Sequence, residues 1–567
     1  MTNWEHTTDV VTTDVVVVGT GGGGMTAALV AKQAGLDVLM VEKSEYYGGS
    51  TALSGGGLWI PNNYLLQRDG LDDSIEKART YLQHTIGDRT PQALQDAYLE
   101  SAPEMVSYLA ANSQVRFHRS VGYADYYPER PGGMADGRAI ESSPFDGSKL
   151  GDDLAQLRPM SIEIPAGLAF TASEYNKLGM ITSTWAGKAT ALRVGARTVA
   201  NLLTGVKLLA LGQALIARLR ISLRDEGVPI WLNTPLIDLV VENGAVVGVI
   251  VEKDGRPLAV RANKGVILAA GGFAHNQAMR EKYQQAPVDH TWSSANPANT
   301  GDAIQLGMKL GAAVDLMDDA WWGPSSLPPN APVMFHVGER SYPGAIMVNA
   351  AGKRFTNEAA SYVEVGHAMY EGHTEENRHI PATFIMDSRY RRKYIFGTLF
   401  PMQPVPDSYF ESGYFKRADT LEGLAEQCGI DPVGLRETVE RFNQYARSGV
   451  DEEFRRGDSA YDRYYGDPTV KPNPCLAPIE KPPFYAVQMV PGDLGTKGGL
   501  VMDEHARVLR EDGSVIEGLY VTGNNSASVM GNTYPGAGST IGPSMTFGYI
   551  AARHLAGGKI RAVGNPL

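Results

Sequence analysis

Apolar residues in this chain fall into short β-branched runs that end on glycine and into longer segments of helical period. The run Val15-Val16-Val17-Val18 stops at Gly19, an Ala/Leu-rich segment follows Gly24, and a second apolar run from Val38 to Val41 delivers Glu42. This pattern predicts a strand, a helix and a second parallel strand in one βαβ unit. Two more strand-plus-glycine elements are expected over 265–272 and 518–524. Residues 236–251, broken at Asn243-Gly244, predict a hairpin. A helix pair is expected over 420–428 and 431–448, with N-caps at Asp419 and Asp431.

The turn after the first strand reads Gly19-Thr20-Gly21-Gly22-Gly23-Gly24. Gly19 permits a tight turn, Gly21 lets backbone N–H groups approach a pyrophosphate, and Gly24 lets helix and strand pack closely. Glu42, twenty-three residues after Gly19, stands where an acid accepts from a ribose hydroxyl. The following stretch selects the dinucleotide. Lys43-Ser44 leads through Gly48-Gly49-Ser50-Thr51 to Ser54-Gly55-Gly56-Gly57, a small-residue loop over which a bulky ligand can lie against backbone. That favours FAD over a nicotinamide cofactor that must come and go. Ala270, Gly271 and Gly272 in the second glycine element, and Gly523 and Asn524 in the third, are further candidate contacts. With one complete fingerprint, one bound nucleotide is expected.

Because the glycine elements lie near residues 15, 270 and 520, the cofactor domain has to draw on both ends of the chain. The expected fold class is α/β: a Rossmann-like FAD-binding domain over 1–319 and 492–567, with an inserted α+β catalytic domain over 320–491. A length of 567 residues suits two domains. The net charge of −12 disfavours a nucleic-acid partner. Cys428 and Cys475 are the only cysteines, so neither a disulfide framework nor a four-cysteine metal site is available, and the chain reads as cytoplasmic. The eleven histidines are scattered without an HExxH motif, so no metal is expected, and GxSxG is missing. Residues 1–6 lack a basic-then-apolar export signal, and no stretch approaches the ~20 apolar residues of a membrane span.

One region departs from the acidic background. From Lys177 to Arg224 there is no Asp or Glu, against eight Lys and Arg. Leu192, Val199, Leu202, Leu203, Val206 and Leu209 recur there at helical spacing. This reads either as a basic amphipathic helix in a membrane interface or as a helix packed on the protein's own core with solvated basic residues. Residues 212–219 are assigned to the cofactor domain.

Candidate chemistry concentrates in tyrosine, at Asp125-Tyr126-Tyr127-Pro128, Ser361-Tyr362-Val363-Glu364 and Tyr534-Pro535-Gly536-Ala537-Gly538-Ser539-Thr540-Ile541. The last joins a phenol to a glycine-lined backbone and a helix expected to start near Pro543. The Tyr534 O–H and Gly538 N–H would form a neutral two-donor pocket for a carbonyl oxygen, each donor worth ~3–4 kcal/mol as charge develops. On residue type alone, Tyr126 and Tyr362 read as core or pocket lining.

Tyr47-Gly48-Gly49-Ser50-Thr51, residues 54–61, Asp493-Leu494-Gly495-Thr496-Lys497-Gly498-Gly499 and residues 534–538 together resemble the 3-ketosteroid Δ1-dehydrogenases of the fumarate reductase/succinate dehydrogenase flavoprotein superfamily. The resemblance covers essentially the whole chain, with Ala537 standing where many members carry proline. It implies that Tyr534 and Gly538 bind the steroid C3 carbonyl oxygen and acidify C2. Tyr362 would take the C2 proton, Tyr126 would hydrogen-bond Tyr362 and stabilise its phenolate, and flavin N5 would accept the C1 hydride. The outcome would be a trans 1,2-desaturation in steroid ring A degradation. Lys43, Asp302, Ser539 and Ile541 join the expected FAD contacts. An external acceptor of quinone class is implied, as is contact with the inner face of the cell membrane through 177–211, an insert that shorter members lack.

Three rivals remain. A fumarate-reductase-like enoate reductase needs cationic clamps on a carboxylate, where these motifs present Tyr and Gly. A 3-ketosteroid Δ4-(5α)-dehydrogenase desaturates the same ring at another bond. A membrane-surface steroid-binding module with a structural FAD would have no use for a base beside an oxyanion pocket.

Overall fold

The computed structural model describes residues 10–161 and 168–563. Residues 1–6, on which the export reading rests, lie outside them. The first β-branched run forms strand β1 (Val10–Val18), which feeds helix α1 (Gly22–Gln33) and returns as β2 (Val38–Val41), parallel to β1 with Val15 opposite Val38. Small residues let α1 bury nearly its whole length. The small-residue loop folds into a short helix α2 (Gly49–Leu53) and strand β3 (Gly57–Trp59).

The acid-free region forms two helices of different kind. Helix α3 (Trp185–Thr204) buries only Gly187, Thr190 and Val194. Helix α4 (Leu211–Asp225) buries Leu215, Ile216, Leu219 and Leu223 and lies on α2 so closely that a Cβ at Gly212 would stand 1.8 Å from the Thr51 carbonyl oxygen. Residues 212–219 therefore support the cofactor half. The expected hairpin pairs Leu236–Glu242 with Ala245–Lys253, and it docks on β4 (Arg256–Leu268), which runs parallel to β1.

A second, six-stranded sheet holds the middle of the chain. Helix α5 (Tyr362–Glu371) backs onto its strand Ala320–Ser326, where a Cβ at Gly366 would stand 2.4 Å from the Trp322 Cβ. Helix α6 (Ala460–Tyr465) lies near its end. The long strand β5 (Phe484–Thr496) crosses residue 491 without a break and pairs antiparallel with Ala320–Ser326, Ala382–Met386 and Phe415–Ala418. The helix pair forms as Leu421–Cys428 and Pro432–Ser448. Its second cap is Asp431, but the first is Thr420 and not Asp419. The Thr420 hydroxyl accepts from the Gly423 N–H at 3.0 Å, and Asp419 stands one residue too early to reach it.

Strand β6 (Val515–Val521) lies parallel to β4, so the first sheet runs β6–β4–β1–β2 and joins both ends of the chain, as the three glycine elements require. The last helix, α7 (Ile541–Leu555), crosses α1 almost backbone to backbone. It starts two residues before Pro543, because the Gly542 N–H already donates to the Gly538 carbonyl at 2.8 Å and Pro543 fits a first turn that needs no N–H.

Candidate active site

A cavity of about 810 Å³ runs from the glycine turn to the tyrosines. At one end Gly19, Gly21, Gly22 and Gly23 line it, with Glu42, Lys43, Gly49, Ser50, Thr51, Ser54, Gly55 and Gly56. Ala270, Gly271, Asp302, Gly523, Asn524 and Ile541 close this end. Two expected contacts do not line the cavity: a Cβ on Gly272 would meet the Thr496 hydroxyl, and the Ser539 hydroxyl is spent on the Gly536 N–H and carbonyl. Gly24 does not line it either and packs under the Gly19 carbonyl, the close packing expected of it. Their small size serves close packing and a local turn.

The residues at this end fit FAD. Gly19 sits at φ +103°, and a Cβ there would lie 2.3 Å from the Ala269 carbonyl oxygen, so only glycine makes the turn. Gly21, the N-cap of α1, has no side chain to offer, and of the first-turn N–H groups that of Gly22 donates to the Thr51 hydroxyl at 3.1 Å, so the rest of the turn can face an anion. The Glu42 carboxylate is fixed by the Thr20 hydroxyl at 2.6 Å and the Ser44 N–H at 3.0 Å. Lys43 is held by Asp302 at 2.7 Å. Asn525 accepts from the Ala270 N–H, while its own buried Nδ2 has no partner, a donor left over in the cavity wall.

At the other end Tyr126, Tyr362, Tyr534 and Gly538 come together although 412 residues separate the first from the last (538 − 126). The rings of Tyr126 and Tyr534 stack at 5.2 Å, Tyr362 lies 5.3 Å from Tyr534, and Tyr126 meets Tyr362 edge-on at 5.7 Å. The Tyr534 loop is pinned by its Pro535 carbonyl, which accepts from the Tyr126 N–H at 2.9 Å and the Tyr81 hydroxyl at 2.6 Å. Gly538, at φ +96°, lies so close to β3 that a Cβ would stand 2.4 Å from Gly57 backbone. The Thr540 hydroxyl donates to the Tyr534 oxygen at 3.3 Å, and Gly538 and the Tyr362 ring lie close to it.

The Tyr126 hydroxyl lies 3.3 Å from that of Tyr123, which lies 2.6 Å from that of Tyr465. The Tyr461 ring sits 4.5 Å from Tyr126. Six phenols thus form one cluster. Tyr123, Tyr461 and Tyr465 were not singled out in the sequence, although Tyr461 and Tyr465, spaced i and i+4 on α6, share one helix face. Burial pushes Tyr126 and Tyr362 well above the ordinary phenol range, with the neighbouring phenols adding to the effect. Tyr534 is raised by burial, against the hydrogen bond that Thr540 donates to it. Met334, Phe335, Phe170 and Phe400 make much of the cavity wall apolar, with Ser120, Glu141, Glu339 and Thr398 as polar exceptions. Among the described residues Lys43, at the glycine end, is the one cation lining the cavity, so no clamp for a substrate carboxylate stands beside the tyrosines.

Residues 14–541 match the FAD binding domain family. The 3-oxosteroid 1-dehydrogenase of Mycolicibacterium smegmatis is 51% identical over 96% of this chain and 97% of its own. Its counterpart in Mycobacterium tuberculosis is 50% identical over 96% and 98%. The crystal structure of 3-ketosteroid delta1-dehydrogenase from Sterolibacterium denitrificans, in complex with 1,4-androstadiene-3,17-dione, superimposes with a TM-score of 0.92 at 45% identity, covering 97% of this chain and 100% of that one.

Gly19→Ala tests the cradle. The added Cβ strains a left-handed residue and collides with Ala269, at a cost of about 2 kcal/mol or more. Purified protein is expected to have lost most of its flavin absorbance relative to protein absorbance; full occupancy would place the nucleotide elsewhere.

Proposed function

The chain belongs to the 3-oxosteroid 1-dehydrogenase family of FAD-dependent oxidoreductases, and from that premise we propose that it introduces the C1–C2 double bond into 3-ketosteroids. The observation that carries this reading is the Tyr534 hydroxyl beside the Gly538 N–H, facing Tyr362, at a cavity end that no cation lines. In the proposed reaction both donors hold the C3 carbonyl oxygen. As the C2 proton leaves, charge develops on that oxygen, and preorganised donors then act most strongly. Tyr362, as phenolate, takes the C2 proton on its hydroxyl oxygen, and the C2–H electron pair becomes the C1=C2 bond. Bound FAD supplies the two-electron sink for the hydride leaving C1, from which a quinone-class acceptor takes the electrons on. Tyr126, which meets the Tyr362 ring edge-on, continues through Tyr123 to Tyr465 as a chain of hydroxyls over which charge from Tyr362 can spread. Anaerobic mixing with androst-4-ene-3,17-dione tests the reading: flavin bleaching with loss of one hydrogen each from C1 and C2 is expected, and a C4–C5 product would move the regiochemistry.

We further propose that α3 rests on an anionic lipid surface. Trp185, Leu203 and Leu192 are 84%, 83% and 77% exposed, beside exposed Lys188 and Arg193. No helix among the described residues is long and apolar enough to cross a membrane. Contact in the interface plane is what such a face suits.

Tyr362→Phe is expected to keep flavin and steroid binding while lowering kcat about 10²–10⁴-fold. Tyr534→Phe should lower kcat/KM about 10²-fold or more, with weaker steroid binding. Near-normal kcat in Tyr362→Phe would remove it as the base. The base works deprotonated and burial raises its pKa, so kcat/KM should climb as pH rises from neutrality. A rate that falls over that range would contradict a phenol base.

Changing Leu192, Leu202 and Leu203 together to Asp should release the protein from phosphatidylserine vesicles in a sedimentation assay with flavin content unchanged. Undiminished co-sedimentation would refute lipid contact through α3.

A further inference from the structure

A phenolate in the cluster needs a counter-charge, since six phenols packed ring to ring supply none and each is pushed up by burial. One buried cation adjoins them. Arg340 lies in the 3₁₀ turn Glu339–Ser341 and is 1% exposed. Its guanidinium donates to the carbonyl oxygens of His336 at 3.0 Å, Val337 at 3.1 Å, Ala360 at 3.2 Å and Glu358. None of these partners is a carboxylate. Carbonyl dipoles hold the guanidinium, and the neighbouring buried Glu339 carboxylate acts on it through space rather than in an ion pair, so its charge is only partly compensated.

The placement is specific. Glu358 and Ala360 belong to the turn that delivers Tyr362 to the start of α5. On the other side Gly338 backs onto the Tyr465 ring, where a Cβ would stand 2.6 Å from a ring carbon. Arg340 thus lies between the support of Tyr362 and the face of α6 that carries Tyr461 and Tyr465. Its charge interacts with Tyr461, Tyr465 and Tyr126, and in Tyr461 it opposes the upward push of burial. The Tyr461 hydroxyl is buried without a hydrogen-bond partner.

The other charged groups around the cluster are engaged. Glu339, next in the chain, faces His336 at 3.6 Å. Glu358 is taken by Arg354 at 2.8 Å and Arg456 at 3.1 Å. Asp462 accepts from Asn357 and from the Gly457 N–H, and burial raises it to about 6. Glu364 on α5 accepts from the Tyr127 hydroxyl at 2.5 Å, and Lys497 pairs with Asp319 at 2.8 Å.

We propose that Arg340 is the counter-cation for the phenolate charge of this tyrosine cluster, and so sets the pH range in which Tyr362 can act as base. It touches neither steroid nor cofactor and acts through the tyrosines as a positioning residue. The inference rests on the phenol-base reading above.

The test compares flavin-loaded Arg340→Met and Arg340→Lys with the parent protein, reading kcat/KM against pH and the ultraviolet phenolate titration. In Arg340→Met the rising limb should move up by about one to three pH units, the usual effect of losing an adjacent opposite charge. At neutral pH that is a 10- to 1000-fold loss, which narrows as pH rises. Arg340→Lys keeps the charge without the carbonyl fork and should leave the limb in place. An equal loss at every pH, or an unmoved limb in Arg340→Met, would reduce Arg340 to scaffolding. Should the Met protein not fold, Arg340→Lys decides alone, since a displaced limb there would overturn the proposal. Full turnover in Tyr362→Phe would sink the phenol base itself, whereas a dead Tyr362→Phe with an unmoved Arg340→Met limb sinks only the role of Arg340.

Discussion

Helices α1 and α7 cross almost backbone to backbone at Gly23 and Gly548, and the rest of the site depends on that contact. A Cβ on Gly23 would stand 2.6 Å from the Ser544 carbonyl oxygen, and one on Gly548 would stand 2.4 Å from the Gly23 carbonyl oxygen. Ordinary helix pairs keep their axes 8–10 Å apart, roughly the room that intervening side chains require. Here α1 carries the open helix end for a pyrophosphate, while α7 carries the Tyr534–Gly538 loop at its own start. Closing the distance between the helices sets the cofactor cradle and the carbonyl-binding donors in one frame, with β3 wedged against Gly538 as a third fixed point. A methyl group anywhere in this crossing would separate two functions that the chain places more than 500 residues apart (534 − 19).

The electrostatics follow the same economy. Buried charge is concentrated in paired groups at the periphery, such as Arg354 and Arg456 with Glu358 and Asp451, and Arg280 with Asp493. Such pairs gain little net stability against a hydrophobic replacement, but breaking one is costly, so they lock loops in place. No cation lines the tyrosine end, while Arg340 lies buried behind the phenols and the Glu339 carboxylate lines the cavity. The proposed base ionises against its own burial.

What the sequence made legible is what is local. The βαβ fingerprint, the hairpin at Asn243-Gly244 and the two-ended cofactor sheet each follow from short-range pattern, and Tyr534 to Gly538 is one contiguous motif. Tyr123 and Tyr465 stand 342 residues apart and meet only through tertiary packing, so no spacing rule joins them. Composition also cannot tell whether a glycine admits a ligand or a backbone. Gly272 looks like its cavity-lining neighbour Gly271 and serves close packing instead. The same limit appears in α3, where periodicity identified an apolar face and the fold decided that this face stays uncovered.

Two residues of one type have opposite duties in the proposed reaction, since Tyr534 must keep its proton and Tyr362 must lose one. Their surroundings as folded point the other way. The Thr540 hydroxyl donates to the Tyr534 oxygen and works toward phenolate there, while burial raises both phenols, Tyr362 well above the ordinary range. In the proposed reaction a carbonyl oxygen entering between Tyr534 and Gly538 would hold Tyr534 as a donor and leave phenolate charge to Tyr362. Substrate recognition and activation of the base would then be one electrostatic event.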